Sequence, residues 1–266
     1  MLASLLAAAA AWWWVARRFP PRGMQRLYGW GALLVLTAAV ASPLDHGAEV
    51  SFTLHMAQHL LLMLVVAPLL ALAAPAGFLG WLRRQPRAGR LLRALWSPLP
   101  AFALYHLALF LWHLPELYGA AVRHPGIHLL QHATFLLGGM AFWGVIAAPD
   151  PRLVQATIGQ RVIMVLAANI LGWVLSFVLA VAERPLYAAY LEGPQPWGLS
   201  PLTDMRLGGA IMWVAGNLVS GIALMLLLVA AMRQESVVRP KAAEQIRRAG
   251  KRTSPQVGRG SIRPQR

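Results

Sequence analysis

Two histidine pairs carry most of the chemical information in this 266-residue sequence. His55 and His59 stand four apart in SFTLHMAQHLLLMLVVAPLLALAAP, residues 51–75, a run otherwise apolar enough to cross a membrane. His128 and His132 repeat that spacing. Residues at i and i+4 share one face of an α-helix, so each pair would present two imidazoles in the same direction. An imidazole carried into hydrocarbon must find partners for both ring nitrogens. A transition metal takes one nitrogen, and a carbonyl or carboxylate behind the ring takes the other.

Further ligand-type side chains fall at matching positions. Met63 extends the His55–His59 ladder by one more turn, His106 and His113 are seven apart on a third segment, and Asp204, Met205 and Met212 open a fourth. The chain contains no cysteine, so soft-metal chemistry has only His and Met to draw on. Imidazole suits Cu, Fe and Zn, and thioether adds a bias toward Cu(I); copper fits this set best, held transiently, with haem the weaker alternative. Each feature also has a purely structural reading. The His pairs can hydrogen-bond neighbouring helices, Trp112 and His113 can shape a helix end before Pro115, methionines pack, and Asp204 can cap a helix. His46 and His124 read as surface loop residues, and Gln58 sits off the ladder.

These residues must be positioned by membrane helices. The chain is 58% hydrophobic and 12% charged, more apolar surface than one soluble core of this size hides. Apolar runs near 1–16, 27–43, 50–75, 98–115, 127–148, 161–184 and 205–232, against the ~20 residues a span needs, predict an all-α bundle of seven transmembrane helices. A basic tail over 233–266, without apolar periodicity, is expected to be disordered. The net charge of +15 is not a nucleic-acid signature, because 21 of the 24 Lys and Arg residues lie in alternate connections and the tail. By the positive-inside rule this puts the N-terminus outside, the C-terminus in the cytoplasm, and all eight histidines in or beyond the outer half of the bilayer. The chain is expected to be a multi-pass membrane protein.

Several enzyme classes are weakened by the residues themselves. A retinal-type pigment needs a buried lysine, yet Lys241 and Lys251 are both in the tail. An intramembrane zinc protease needs H-E-x-x-H with Glu as general base, whereas HMAQH offers none. A di-iron desaturase gathers comparable histidine boxes, but facing the cytoplasm. A haem- or di-metal-dependent membrane oxidoreductase remains the alternative.

Three blocks, SPLDHGAEVSFTLHMAQHLLLMLVVAPLLALAAP, WHLPELYGAAVRHPGIHLLQHATFLLGGMAFW and PLYAAYLEGPQPWGLSPLTDMRLGGAIMW, resemble in order the signature blocks of the polytopic CtaG-type cytochrome c oxidase assembly factors. The resemblance covers about residues 27–232. It implies a multi-pass protein of the bacterial inner (plasma) membrane with a non-enzymatic part in maturing caa-type cytochrome c oxidase, with oxidase subunits as partners, copper as the handled metal and a soluble copper chaperone as a possible donor. Carried over position by position, it points to His55, Met56, His59, Trp112, His113, His128, His132, Asp204, Met212 and Trp213. Of these, His55, His59, His113, His128, His132, Met212 and Asp204 are the expected metal site. The sequence departs from the family's Asp-Gln in the last block, where Met205 follows Asp204.

Overall fold

The computed structural model describes residues 2–192 and 196–253. Among them every regular element is helical. In chain order these are α1 (Leu2–Arg18), α2 (Met24–Val40), α3 (Pro43–Val50), α4 (Phe52–Leu60), a π segment (Leu61–Val66), α5 (Ala67–Ala73), α6 (Ala76–Arg84), α7 (Pro86–Leu95), α8 (Pro98–Trp112), α9 (Pro115–Arg123), α10 (Pro125–Ala147), α11 (Ile158–Val181) and α12 (Pro201–Thr253). Short 3₁₀ turns at Ala188–Tyr190 and Pro196–Gly198 lie between α11 and α12. The chain divides into two units, one ending at Leu224 and one beginning at Met225. The first contains every element that builds the site.

Four stretches are long and apolar enough to cross a membrane: Phe52–Ala73, Pro125–Ala147, Ile158–Val181 and Pro201–Gln234. Two bent pairs, α2 with α3 at 43° and α7 with α8 at 71°, raise the number to as many as six. A seventh crossing would need α1, whose 17 residues extend about 26 Å at 1.5 Å per residue against a hydrocarbon core of about 30 Å. The arginine-rich connection over 76–97 is itself helical: Pro75 and Pro86 stand at the starts of α6 and α7, where a missing N–H costs nothing. The basic segment from 233, expected to be unordered, is helical as far as Thr253. Its Ala, Glu, Gln, Lys and Arg content favours helix, and 254–266 lie outside the described residues.

The span from Phe52 to Ala73 is interrupted by its π segment, and the cause is Pro68. Proline lacks a backbone N–H and its ring crowds the preceding turn, so the helix widens to i→i−5 pairing, with Ala67 N–H donating to the Leu62 carbonyl. The carbonyl of Met63, five residues before Pro68, therefore has no helical donor there, and the indole Nε1 of Trp143 on α10 donates to it at 2.8 Å. α10 packs against α8 on one side and α5 on the other. Gly138 and Gly139 permit this: a Cβ on Gly138 would lie 3.2 Å from the Leu104 carbonyl, and one on Gly139 would lie 2.8 Å from the Ala67 methyl.

Candidate metal centre

The helix bearing His55 and His59 is fixed at its N-terminus from far along the chain. Ser51 is its N-cap, and Asp204, in the first turn of α12, accepts from the Phe52 N–H at 2.6 Å, the Thr53 N–H at 3.2 Å and the Ser51 hydroxyl at 2.9 Å. The Thr53 hydroxyl donates to the Asp204 carbonyl at 2.8 Å. A carboxylate on exposed N–H groups at a helix N-terminus satisfies donors that otherwise have no partner and complements the helix dipole. Asp204 thus caps a helix, as the sequence allowed, but the helix is α4 rather than its own. α12 approaches α4 closely here, because a Cβ on Gly208 would collide with the Phe52 ring.

α4 and α10 bring the two histidine pairs together. Within each helix the rings are in contact, His55–His59 at 4.3 Å and His128–His132 at 4.1 Å between centroids. Across helices His55 meets His128 at 5.0 Å and His59 meets His132 at 5.5 Å. The four imidazoles form a closed ring of contacts, and each offers one nitrogen such that all four lie within 4.8 Å of one another.

Hydrogen bonding leaves these nitrogens available. Tyr190 donates its hydroxyl to the Ala48 carbonyl at 3.0 Å, so toward His55, whose Nδ1 is 2.8 Å away, it acts as acceptor. His55 then carries its proton on Nδ1 and keeps a lone pair on Nε2, an atom that is buried without a partner. Among the described residues His59 and His132 have no hydrogen-bond partner on either ring nitrogen, and Nε2 of His128 has none. Buried polar atoms are nearly always paired, and leaving one unpaired costs about 1–3 kcal/mol. Four converging imidazoles with unpartnered nitrogens match the donor set of a borderline or soft metal ion, whose nitrogen ligands would stand about 2 Å from it.

The other expected residues take different places. His113, at the end of α8, donates from Nδ1 to the Leu109 carbonyl at 2.7 Å and leaves Nε2 buried and unpartnered. The ring of Tyr118 lies beside both His55, at 5.1 Å, and His113, at 6.3 Å. His113 and Asp204 are outside the group of four. Met212 packs in an apolar core with Phe52, Met56, Tyr118, Leu179 and Met205. His106 donates from Nδ1 to the Phe102 carbonyl at 2.8 Å and packs on the Phe102 and Tyr105 rings. His46 and His124 are exposed.

Three residues were not anticipated. Tyr190 orients His55, and Tyr118 reaches Tyr190 hydroxyl to hydroxyl at 3.0 Å. Burial pushes both phenols above their usual range, which keeps them neutral hydrogen-bonding groups. Gln131, on α10, is fully buried with its amide beside the His55 ring. A sequence signal for it existed, since H-x-x-Q-H occurs twice, at 55–59 and 128–132. The first glutamine, Gln58, donates to the Ala39 carbonyl and to the Asp45 carboxylate, each at 2.8 Å.

A family model described as cytochrome c oxidase caa3 assembly factor matches residues 5–234. Two curated relatives, one from Mycobacterium bovis and one from Mycobacterium tuberculosis, are each 24% identical over 212 aligned positions, covering 71% of this chain and 31% of the relative. Both are described only as uncharacterized proteins. The chain thus spans about a third of the length of the curated relatives it matches. No solved structure matches.

Proposed function

Because the chain belongs to the cytochrome c oxidase caa3 assembly factor family, we propose that it serves oxidase maturation by holding a copper ion, as cargo, among His55, His59, His128 and His132. The observation that carries this reading is the cluster itself: four imidazoles from two helices, each with a ligand nitrogen within 4.8 Å of the others, and most of their nitrogens without a protein partner. A site made of neutral imidazoles and lacking thiolate binds copper without the near-irreversible grip of a Cys set. That suits release to an acceptor.

The residues divide the work. The acceptor oxygen of Tyr190 fixes the tautomer of His55 with Nε2 directed to the ion, as groups behind a metal-bound histidine commonly do. Asp204 sets the position of α4 and, through it, of both its histidines. His113, with an unpartnered Nε2 across the Tyr118 ring, is placed to take the ion as it enters or leaves. Met212 contributes packing, with its thioether in reserve. A haem alternative is disfavoured by the direct ring contacts of 4.1 to 5.5 Å among the four histidines, which leave no slot for a macrocycle between α4 and α10.

The distribution of basic residues supports a seven-span arrangement in the bacterial plasma membrane, N-terminus outside, with the site in the outer half. Oxidase subunits would receive the copper, and a soluble chaperone could deliver it. The test is the copper content of caa3 oxidase from cells whose only copy carries His55→Ala and His59→Ala. Loss of oxidase copper with normal levels of the variant is expected; full copper would reject the role.

A further inference from the structure

Between α3 and the starts of α4 and α10 a cavity of about 310 Å³ opens from the surface, with His55 and His128 in its wall and Asp45, Glu49, Pro125 and Gly126 around it. Resting on the metal-site reading above, we propose that this cavity is the loading port for a soft monovalent cation, with Asp45 and Glu49 as its electrostatic guide. His55 is 1% exposed, so the cavity ends on a buried imidazole of the histidine group. Of the described cavities, this one joins a carboxylate-lined mouth to a member of the histidine group.

The two carboxylates are held over the port by the site itself. Asp45 and Glu49 are four apart on α3, hence on one face, and both are within electrostatic range of His128. α3 is tied down twice: its Ala48 carbonyl accepts from Tyr190, the residue that orients His55, and Asp45 accepts from Gln58. Gln58 belongs to the same H-x-x-Q-H segment as His55 and His59. The first of the two repeated motifs therefore positions both a ligand pair and a carboxylate of the entrance. Carboxylate oxygen is a poor ligand for a soft cation, so the pair draws the ion in without trapping it, and the imidazoles behind hold it. No bond is made or broken beyond ligand exchange.

The experiment is rapid mixing of the full-length, detergent-solubilised chain with Ag(I) as a redox-inert soft cation, with metal analysis of the desalted protein. Asp45→Asn with Glu49→Gln is expected to load about tenfold more slowly than the parent at low ionic strength. The gap should close toward 1 M salt, where the Debye length is about 3 Å, with final stoichiometry unchanged. Asp45→Asn keeps an acceptor for Gln58, and Glu49→Gln alone, at an exposed position, should give a partial slowing without any folding question. Glu116→Gln, an exposed carboxylate outside the cavity, should load at the parent rate. Parental loading and parental salt dependence in the double variant would overturn the port while leaving the metal site standing. Failure of the parent chain to take up Ag(I) would overturn both.

Discussion

The carboxylate of Asp204 accepts the backbone N–H of Phe52 at 2.6 Å across 152 residues of sequence. That bond ties the first turn of α12 to the first turn of α4, three residues before His55. It makes the position of the histidine group depend on a residue outside that group.

Asp204→Ala is therefore expected to act at a distance. It removes the acceptor for the Ser51 hydroxyl and the Phe52 and Thr53 N–H groups, leaving buried donors unpaired. The expected loss is about 3 kcal/mol or more of stability, at about 1–3 kcal/mol for each donor left unpaired, seen as a lower midpoint in thermal unfolding of the solubilised protein. Metal affinity should fall with it, whereas Met212→Leu, a packing change, should leave affinity within a few-fold of the parent.

Tyr190→Phe keeps the ring, and His55 then loses the hydroxyl that accepts from its Nδ1. Loss of a group behind a metal-bound histidine typically lowers affinity 10–100-fold, and that drop is expected in a competitive Cu(I) titration. Tyr118→Phe, one hydrogen bond further out, should lower it less.

These two tyrosines, with Tyr187, whose hydroxyl donates to the His113 carbonyl at 3.1 Å, set an alkaline limit. Burial raises the phenols of Tyr118, Tyr187 and Tyr190 in the folded protein, while unfolded tyrosine ionises near pH 10. The folded state binds its phenolic protons more tightly, so this contribution is intact below about pH 10 and is lost as pH rises above it. The unfolding midpoint should fall steeply above about pH 10, and the triple Tyr→Phe variant should show a shallower fall.

Topology has its own test. A reporter fused after Glu192 should read outside and one after Arg87 inside. The opposite pattern would move the histidine group to the cytoplasmic half and remove the basis for delivery to an outward-facing copper centre.

The histidine ring was legible because a periodic signal survives in sequence: i, i+4 pairs on two helices fix which side chains share a face. What the sequence could not show is which faces meet. That His55 pairs with His128 and His59 with His132, and that His113 stays apart, depends on α8 and α10 closing at Gly138 and on where Tyr118 inserts. The role of Asp204 was half legible, as a cap, but the capped helix is set by tertiary contact across 152 residues. The run over 50–75 was read as one unbroken span; the break at Pro68 and the Trp143–Met63 bond that satisfies it are visible only in the structure. Seven crossings were expected and four to six are found among the described residues, because apolar length alone does not reveal the bends at the start of α3 and of α8.

Metal analysis of the purified chain, alongside a His55→Ala/His59→Ala/His128→Ala/His132→Ala variant, bears most directly on the central claim. The parent should hold one Cu(I) per chain after loading and desalting. The variant should hold none while keeping a cooperative thermal transition. Equal copper in the two proteins, or none in the parent, would contradict the account.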